Sequence, residues 1–525
     1  MSRPASVTGV QPMPRVHATV VHMLAEAAAQ APAGIAVRCD GESLRYDALL
    51  RAAAGFARHL AARGIGRGDR VAVLLGNGIE IAVTLYGVHA LGAQAVPVNP
   101  AYTARELGEI LADAAPHCLV AGSAQAEFAA ALAAQAGAGT PVLWNEELVA
   151  ARRRWAGDAT LTLPVPLPDP GWPATLMYTG GTTGRAKGVD IAHGPMALNV
   201  SQREALLPTQ AGDERILCVM PMFHSFAMLM CLYSACYARG TLVILPRYHP
   251  ELVTTALVRE RITFFPASPT MLTGLLGYEP FLATRLTDLR LTLSGSAALP
   301  VEILNRWQAQ TGCRVLEGYG LTEAGPMLSY NPRDGVSKPG SVGLPAPGIT
   351  LEIVDPDSGA RVLGRGEQGE VRARGAQLMT GYRNLPEQTA ETLRGGWLYT
   401  GDIGELDEDG YLFIRDRKKD MAIVGGYNVY PREIDEVLYS HPEVAEVGAV
   451  GVPDAYRGEI VKAYVVPRPG CSPGEEALLA HCRANLAGYK VPARIEFVSA
   501  LPRTQVGKLD RKALRALATA GVGAA

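Results

Sequence analysis

The chain has 525 residues and 55.6 kDa, too many for one ordinary core, so two or more domains are expected. Apolar residues at 48% and charged residues at 19% exclude a disordered chain, and 57 Gly with 37 Pro but no G-X-Y period exclude a collagen. A formal net charge of −2 gives no global electrostatic reason to bind nucleic acid.

In chain order, residues 1–25 hold two arginines and no acid, and read as a short disordered lead-in. Arg70–Leu75 reads as a buried strand, Ile79–Leu91 as a helix and Ala95–Val98 as the next strand, a βαβ unit of the kind that builds parallel sheets. Residues 151–170, rich in Arg and Pro, read as a surface connection. From Ile216 to Ala238 no residue carries a formal charge, a length that would suit a membrane span. Pro221, His224 and Ser225 split that stretch, which reads instead as strand, loop and buried helix. Further buried strands are expected at Leu242–Leu245, Thr263–Pro266, Leu289–Leu293 and Arg314–Glu317, with helix Val301–Gln310 before the last.

After about Pro339 the pattern changes to short alternating strands, among them Leu351–Val354 and Gly369–Arg374. Leu406–Ile414 reads as a hairpin turning at Asp409-Gly410. A charged joint, Arg415–Asp420, leads to a compact α+β segment: a helix opened by Pro431, strands Val444–Val450 and Val461–Val466, helix Glu475–Leu486 and strand Arg494–Val498. The eight cysteines include no C-x-x-C pair and read as reduced cytosolic thiols, so a cytoplasmic protein is expected.

The strongest local signal is Tyr178-Thr-Gly-Gly-Thr-Thr-Gly-Arg-Ala-Lys-Gly188. Glycines let backbone N–H groups form an anion nest, threonine hydroxyls can donate to phosphate oxygens, and Lys187 adds charge. It is not a Walker loop, because Arg185 breaks the G-x-x-x-x-G-K-[ST] spacing. The segment closely resembles the phosphate loop of the acyl-adenylate-forming enzymes. Other motifs of that family follow in its order: Leu44–Leu49, Leu91–Val98, Gly318-Tyr-Gly-Leu-Thr-Glu323, Tyr399-Thr-Gly-Asp402, Asp416–Asp420 and Pro502-Arg-Thr-Gln-Val-Gly-Lys508. The likeness runs from about residue 44 to 512 and points to the acyl-CoA synthetase, or fatty acid–CoA ligase, branch.

That resemblance implies an α/β fold. A large N-terminal AMP-binding domain, residues 1–417, would hold doubly wound βαβ sheets and a small β-barrel-like subdomain at about 340–415. A small mobile α+β lid, residues 418–525, would carry the catalytic lysine. It implies ATP, Mg²⁺ and coenzyme A, with acyl-AMP and pyrophosphate formed first, then acyl-CoA and AMP. ATP and AMP contacts are implied for Thr179, Gly180, Gly181, Thr182, Thr183, Gly184, Lys187, Ser296, Ala297, Gly318, Tyr319, Asp402 and Arg417. Tyr319 would stack on adenine, Thr322 contact phosphate, Glu323 hold Mg²⁺, and Asp402 take the ribose diol with help from Arg417.

Lys508 would stabilise the charge that develops as carboxylate attacks the α-phosphate. His224, Met228, Gly295, Gly320 and Pro326 would border the acyl group, with His224 a wall and not a base, since a carboxylate nucleophile is already ionised. Gly425, Gly426 and Tyr427 would border the pantetheine tunnel, and Lys419 would be the hinge. The apolar, methionine-rich segment Phe226–Leu232 points to medium- or long-chain fatty acids, with aryl or phenylpropanoid acids second. An adenylation enzyme loading a separate carrier protein is the same-fold rival, and a catalytically dead binding protein the rival of another class. Small-molecule partners, no nucleic acid, no integral membrane span and a monomer or homodimer complete the expectation, with peripheral membrane contact left open.

Overall fold

The computed structural model describes residues 4–125, 141–179, 186–424, 427–454, 456–504 and 507–520. Two largely parallel sheets form the bulk of the α/β fold. In the nine-stranded sheet, the parallel strands run Val315–Tyr319, Leu291–Ser294, Phe264–Ala267, Arg215–Cys218, Thr241–Ile244 and Ile35–Cys39, with antiparallel strands at both edges. In the seven-stranded sheet, Pro173–Thr179, Gln94–Pro97, Arg70–Leu74, Cys118–Ala121 and Val142–Trp144 are parallel, and Lys187–Ala192 and Gly381–Tyr382 add an antiparallel edge. Strands that read as continuous apolar runs are buried throughout, as Leu291–Ser294 and Phe264–Ala267 show, because helices cover both faces. Helix Ile79–Ala90 is buried at every residue except Glu80, and one hydrophobic cluster joins it to strands of both sheets.

The long uncharged stretch folds as strand Arg215–Cys218, a loop and one buried helical run, Ser225–Tyr237. Within that run Met228–Tyr233 is wound as a π-helix, and Ser234 Oγ donates to the Leu229 carbonyl at 2.6 Å. Among the described residues no helix is long and apolar enough to cross a membrane. All eight cysteines are free thiols and seven of them are buried.

The sheet-rich segment is a six-stranded antiparallel sheet containing Thr350–Val354, Gly369–Arg374, Trp397–Leu406 and Leu412–Arg417. The chain leaves it through a turn at Lys418–Asp420, where Asp420 N–H donates to the Arg417 carbonyl at 2.9 Å. It then enters a five-stranded sheet built from residues 422–497, backed by helices Pro431–Tyr439 and Glu475–Asn485. Helix Arg511–Ala520 packs on that sheet through Leu514, which fills the space above Gly448.

Two sequence expectations fail. Ser6–Thr8 is not a disordered lead-in but the edge strand of the six-stranded sheet, paired with Thr350–Glu352. Nor is the whole of 151–170 a surface connection. Residues up to Gly157 belong to helix Asn145–Gly157, and Arg152 is buried between Glu42 and Glu80, at 2.9 Å from each.

Candidate active site

Four adjacent parallel strands of the nine-stranded sheet end on one side, and ligands of open α/β sheets bind beyond such carboxyl ends. The loops that leave them there hold residues 219–224, 268, 295–300 and 320–321. In the other sheet, Pro173–Thr179 and Lys187–Ala192 form a hairpin whose tip is the glycine- and threonine-rich loop. Thr179 pairs across the hairpin with Lys187. Gly180, Gly181, Thr182, Thr183 and Gly184 lie outside the described residues, as do Gly425 and Gly426.

The Lys187 ammonium lies 5.0 Å from the Tyr382 ring centroid, and the Tyr382 hydroxyl donates to Glu323 Oε1 at 2.8 Å. The foot of the phosphate loop is therefore tied to the acidic motif. Tyr382 belongs to no motif; only its pairing with Val189 in the edge strand brings it here. Beside Glu323, the Thr322 hydroxyl lies 3.3 Å from Ser225 Oγ, at the start of the buried helical run. Ser225 and Tyr382 are the two members of the site that sequence reasoning missed.

Asp402 and Arg417 are direct cross-strand neighbours in the six-stranded sheet. Their side chains form an ion pair at 3.2 Å, and the Tyr319 hydroxyl donates to the other Asp402 oxygen at 2.5 Å. Burial pushes the Asp402 carboxyl above its ordinary range, while Arg417 and the Tyr319 hydroxyl pull it back. Gly318 is required under Tyr330, because a Cβ there would fall 2.2 Å from its ring. Ser296 holds a left-handed backbone, φ 69°, with its Oγ buried and unpartnered, and Ala297 beside it is exposed.

The residues expected at the acyl side also meet near neighbours. Gly295 abuts Phe226: a Cβ would lie 2.6 Å from its ring. Gly320 abuts Pro326, whose carbonyl oxygen would be 1.8 Å from such a Cβ. Met228 is buried at the first position of the π segment. His224 caps this helical run: its Nδ1 accepts the Phe226 N–H at 3.2 Å, leaving Nε2 to carry the neutral ring's proton. Burial, and then the Lys508 charge, push the imidazolium down to about 3, so the ring is neutral at working pH.

Lys508 comes from the far end of the chain and stands within electrostatic reach of Arg417, Asp402 and Glu323. Burial and Arg417 push its ammonium down to about 8, against the pull of the two carboxylates. Glu317, one residue before the glycine turn, is buried with Oε1 unpartnered, and burial raises its carboxyl to about 7. Two predicted residues stand apart: Lys419 on the exposed interdomain turn, and Tyr427, 59% exposed, stacked on Tyr489 at 4.6 Å.

A buried carboxylate beside an aromatic ring can hold a ribose and its base. A lysine-footed loop, a lone glutamate and an incoming lysine can hold a triphosphate. Such a site joins a nucleotide to a carboxylate. The family model for the AMP-binding enzyme matches residues 24–383, and that for the AMP-binding enzyme C-terminal domain matches residues 433–508. The chain belongs to the AMP-binding enzyme family.

It is 35% identical over 538 residues to a long-chain-fatty-acid–CoA ligase of Bacillus subtilis, covering 96% of this chain and 95% of that one. It is 38% identical over 490 residues to a feruloyl-CoA synthase of Amycolatopsis sp, covering 93% and 96%. The crystal structure of the anthranilate CoA ligase AuaEII in complex with anthranoyl-AMP superposes with a TM-score of 0.89 at 28% identity, covering 97% of this chain and 99% of that one. The chain is an AMP-forming acyl-CoA synthetase, an ATP-dependent ligase of a carboxylic acid and coenzyme A.

Proposed function

We propose that the acid is a medium- or long-chain fatty acid. The observation that carries this reading is the composition of the segment that follows His224, which the family resemblance places beside the acyl group. Phe226 to Leu232 is buried at every position and uncharged, and its methionines adapt to a flexible chain. It offers no cation to pair a second carboxylate. The long-chain specificity in the name of the Bacillus subtilis relative agrees. An aryl acid is the second reading, favoured by the feruloyl-CoA synthase.

In the first step a carboxylate oxygen of the acid attacks the α-phosphorus of ATP, and the bond to pyrophosphate breaks. Tyr319, Asp402 and Arg417 hold the nucleoside, Lys187 and the loop it closes hold the phosphates, and Lys508 offsets the charge developing at the α-phosphate. His224, neutral and oriented by the Phe226 N–H, lines the carboxylate end with an N–H donor. Glu323 fits Mg²⁺, which is commonly held by one or two carboxylates with substrate phosphates supplying the rest. Mg²⁺ there would neutralise phosphate charge. In the second step the CoA sulfur attacks the acyl carbon, the bond to AMP breaks, and the thiol proton passes to solvent. Tyr427 would border the pantetheine arm after the small domain turns about Lys419.

Pyrophosphate release is measured with fatty, aryl and amino acids, with and without CoA. Highest kcat/KM on an aryl acid would overturn the fatty-acid reading. Lys508→Ala is expected to slow acyl-AMP formation by at least about 100-fold while sparing transfer from preformed acyl-AMP. Wild-type pyrophosphate release in that variant would remove Lys508 from the mechanism.

A further inference from the structure

Lys508 and Tyr427 sit on the same small domain, but only Lys508 is inside the site; Tyr427 faces solvent. On the reading of Lys508 given above, this is the arrangement for acyl-AMP formation, and contacts between the domains must favour it over others. The contact immediately before Lys508 is a closed triangle of hydrogen bonds across the two domains. Thr270, in the first turn of helix Pro269–Leu276 on the large domain, donates through Oγ1 to the Gly507 carbonyl at 3.1 Å. Arg503 Nη1 of the small domain donates to Thr270 Oγ1 at 3.0 Å and to the same Gly507 carbonyl at 3.1 Å. The other arm of Arg503 is fixed on Glu446 of the small sheet at 2.8 Å.

Thr504, Gly507 and Lys508 are tied to one another by hydrogen bonds. Thr504 N–H donates to the Lys508 carbonyl at 2.7 Å, and Lys508 N–H donates to Thr504 Oγ1 at 3.1 Å. Gly507 has φ 79°, a left-handed conformation that a side chain would resist. Thr270 therefore meets a Gly507 carbonyl that its own segment already holds, and the next residue is Lys508. An ion pair across the two domains, Arg468 with Glu302, is half-buried and long at 3.8 Å, and contributes little to the choice of arrangement.

We propose that Thr270 and Arg503 are positioning residues: a latch that clamps the Gly507 carbonyl and so holds Lys508 in the site for the first half-reaction only. The latch rests on the reading of Lys508 given above. It has no part in the second half-reaction, for which Tyr427 must replace Lys508.

The test separates the half-reactions in single turnover, with pyrophosphate release for the first and acyl-CoA formation from preformed acyl-AMP for the second. Thr270→Val keeps the shape and removes the hydroxyl. It is expected to slow pyrophosphate release about tenfold, the size of a lost hydrogen bond involving a charged group, and to leave acyl-CoA formation within about twofold. Thr270→Ser restores the hydroxyl and is expected to restore the rate. Equal slowing of both half-reactions, slowing of neither, or failure of Thr270→Ser to rescue would each overturn the latch. Lys508→Ala runs alongside. Wild-type pyrophosphate release in Lys508→Ala refutes the underlying reading, whereas loss there with an unaffected Thr270→Val refutes the latch alone.

Discussion

The depressed ammonium of Lys508 makes a kinetic prediction with a definite sign. Its free-enzyme value is about 8, lowered chiefly by burial and then by Arg417, with Asp402 and Glu323 opposing. Only the protonated form can offset charge at the α-phosphate. The kcat/KM for ATP in pyrophosphate release should therefore be flat near neutrality and fall as pH rises through about 8, losing about tenfold between pH 7 and 9. His224 contributes no limb between pH 5 and 8, because its imidazolium is already lost at about 3. Unfolding driven by this lysine would not mimic the loss. Between its folded value and the ordinary lysine value the unfolded chain binds the extra proton, so the group's contribution to stability rises with pH over the same window. The assay is stopped-flow pyrophosphate release at subsaturating ATP from pH 6 to 10, with thermal melting at each pH. A profile that stays flat to pH 10, or a fall that tracks melting, would refute the assignment.

Two further substitutions test the site and the frame. Gly320→Ala should lower kcat/KM about 100-fold and lower the melting temperature with it, because its Cβ would lie 1.8 Å from the Pro326 carbonyl oxygen and 3.0 Å from the Met327 Cα, backbone atoms that must move; unchanged kinetics in the folded variant would place the acid elsewhere. Arg152→Ala should destabilise by about 3 kcal/mol in chemical denaturation, toward the low end for a broken buried pair because Glu42 is 36% exposed. A loss under about 0.5 kcal/mol would mean that the buried arginine is structurally idle.

The parallel strands were legible because strands covered on both faces cannot alternate, and Leu291–Ser294 and Phe264–Ala267 carry that pattern openly. Gly369–Arg374 and the turn at Asp409-Gly410 were legible for the opposite reason, alternation with a turn signal between. Ser6–Thr8 was not. A three-residue strand has no period to read, and its partner Thr350–Glu352 lies far along the chain. Arg152 misled because a run of arginines reads as solvated, while its two partners, Glu42 and Glu80, sit on different elements. The motifs behind the candidate site can be picked out of the sequence one by one, yet the pairing of their residues cannot. Asp402 meets Arg417 by strand register, and Tyr382 meets Glu323 because an edge strand carries it there. The π winding of Met228–Tyr233 left no trace in the residue pattern, since the segment is apolar all round.

The near-neutral charge of the whole chain has a counterpart inside the site. Lys508, Arg417 and Lys187 stand near Asp402 and Glu323, so most of the site's cationic charge is already offset before any phosphate arrives. ATP adds anions to that balance. It must therefore raise the Lys508 value, and by linkage the lysine that enters with the small domain must in turn favour ATP. Loss of pyrophosphate removes most of that anionic charge and leaves Lys508 where burial disfavours its proton. On the proposed mechanism, docking should thus be strongest when a triphosphate is present and weakest after the first bond has been made, the point at which Tyr427 would come in. The pH limb on kcat should accordingly lie above the limb on kcat/KM, since the first reports the ATP complex and the second the free enzyme.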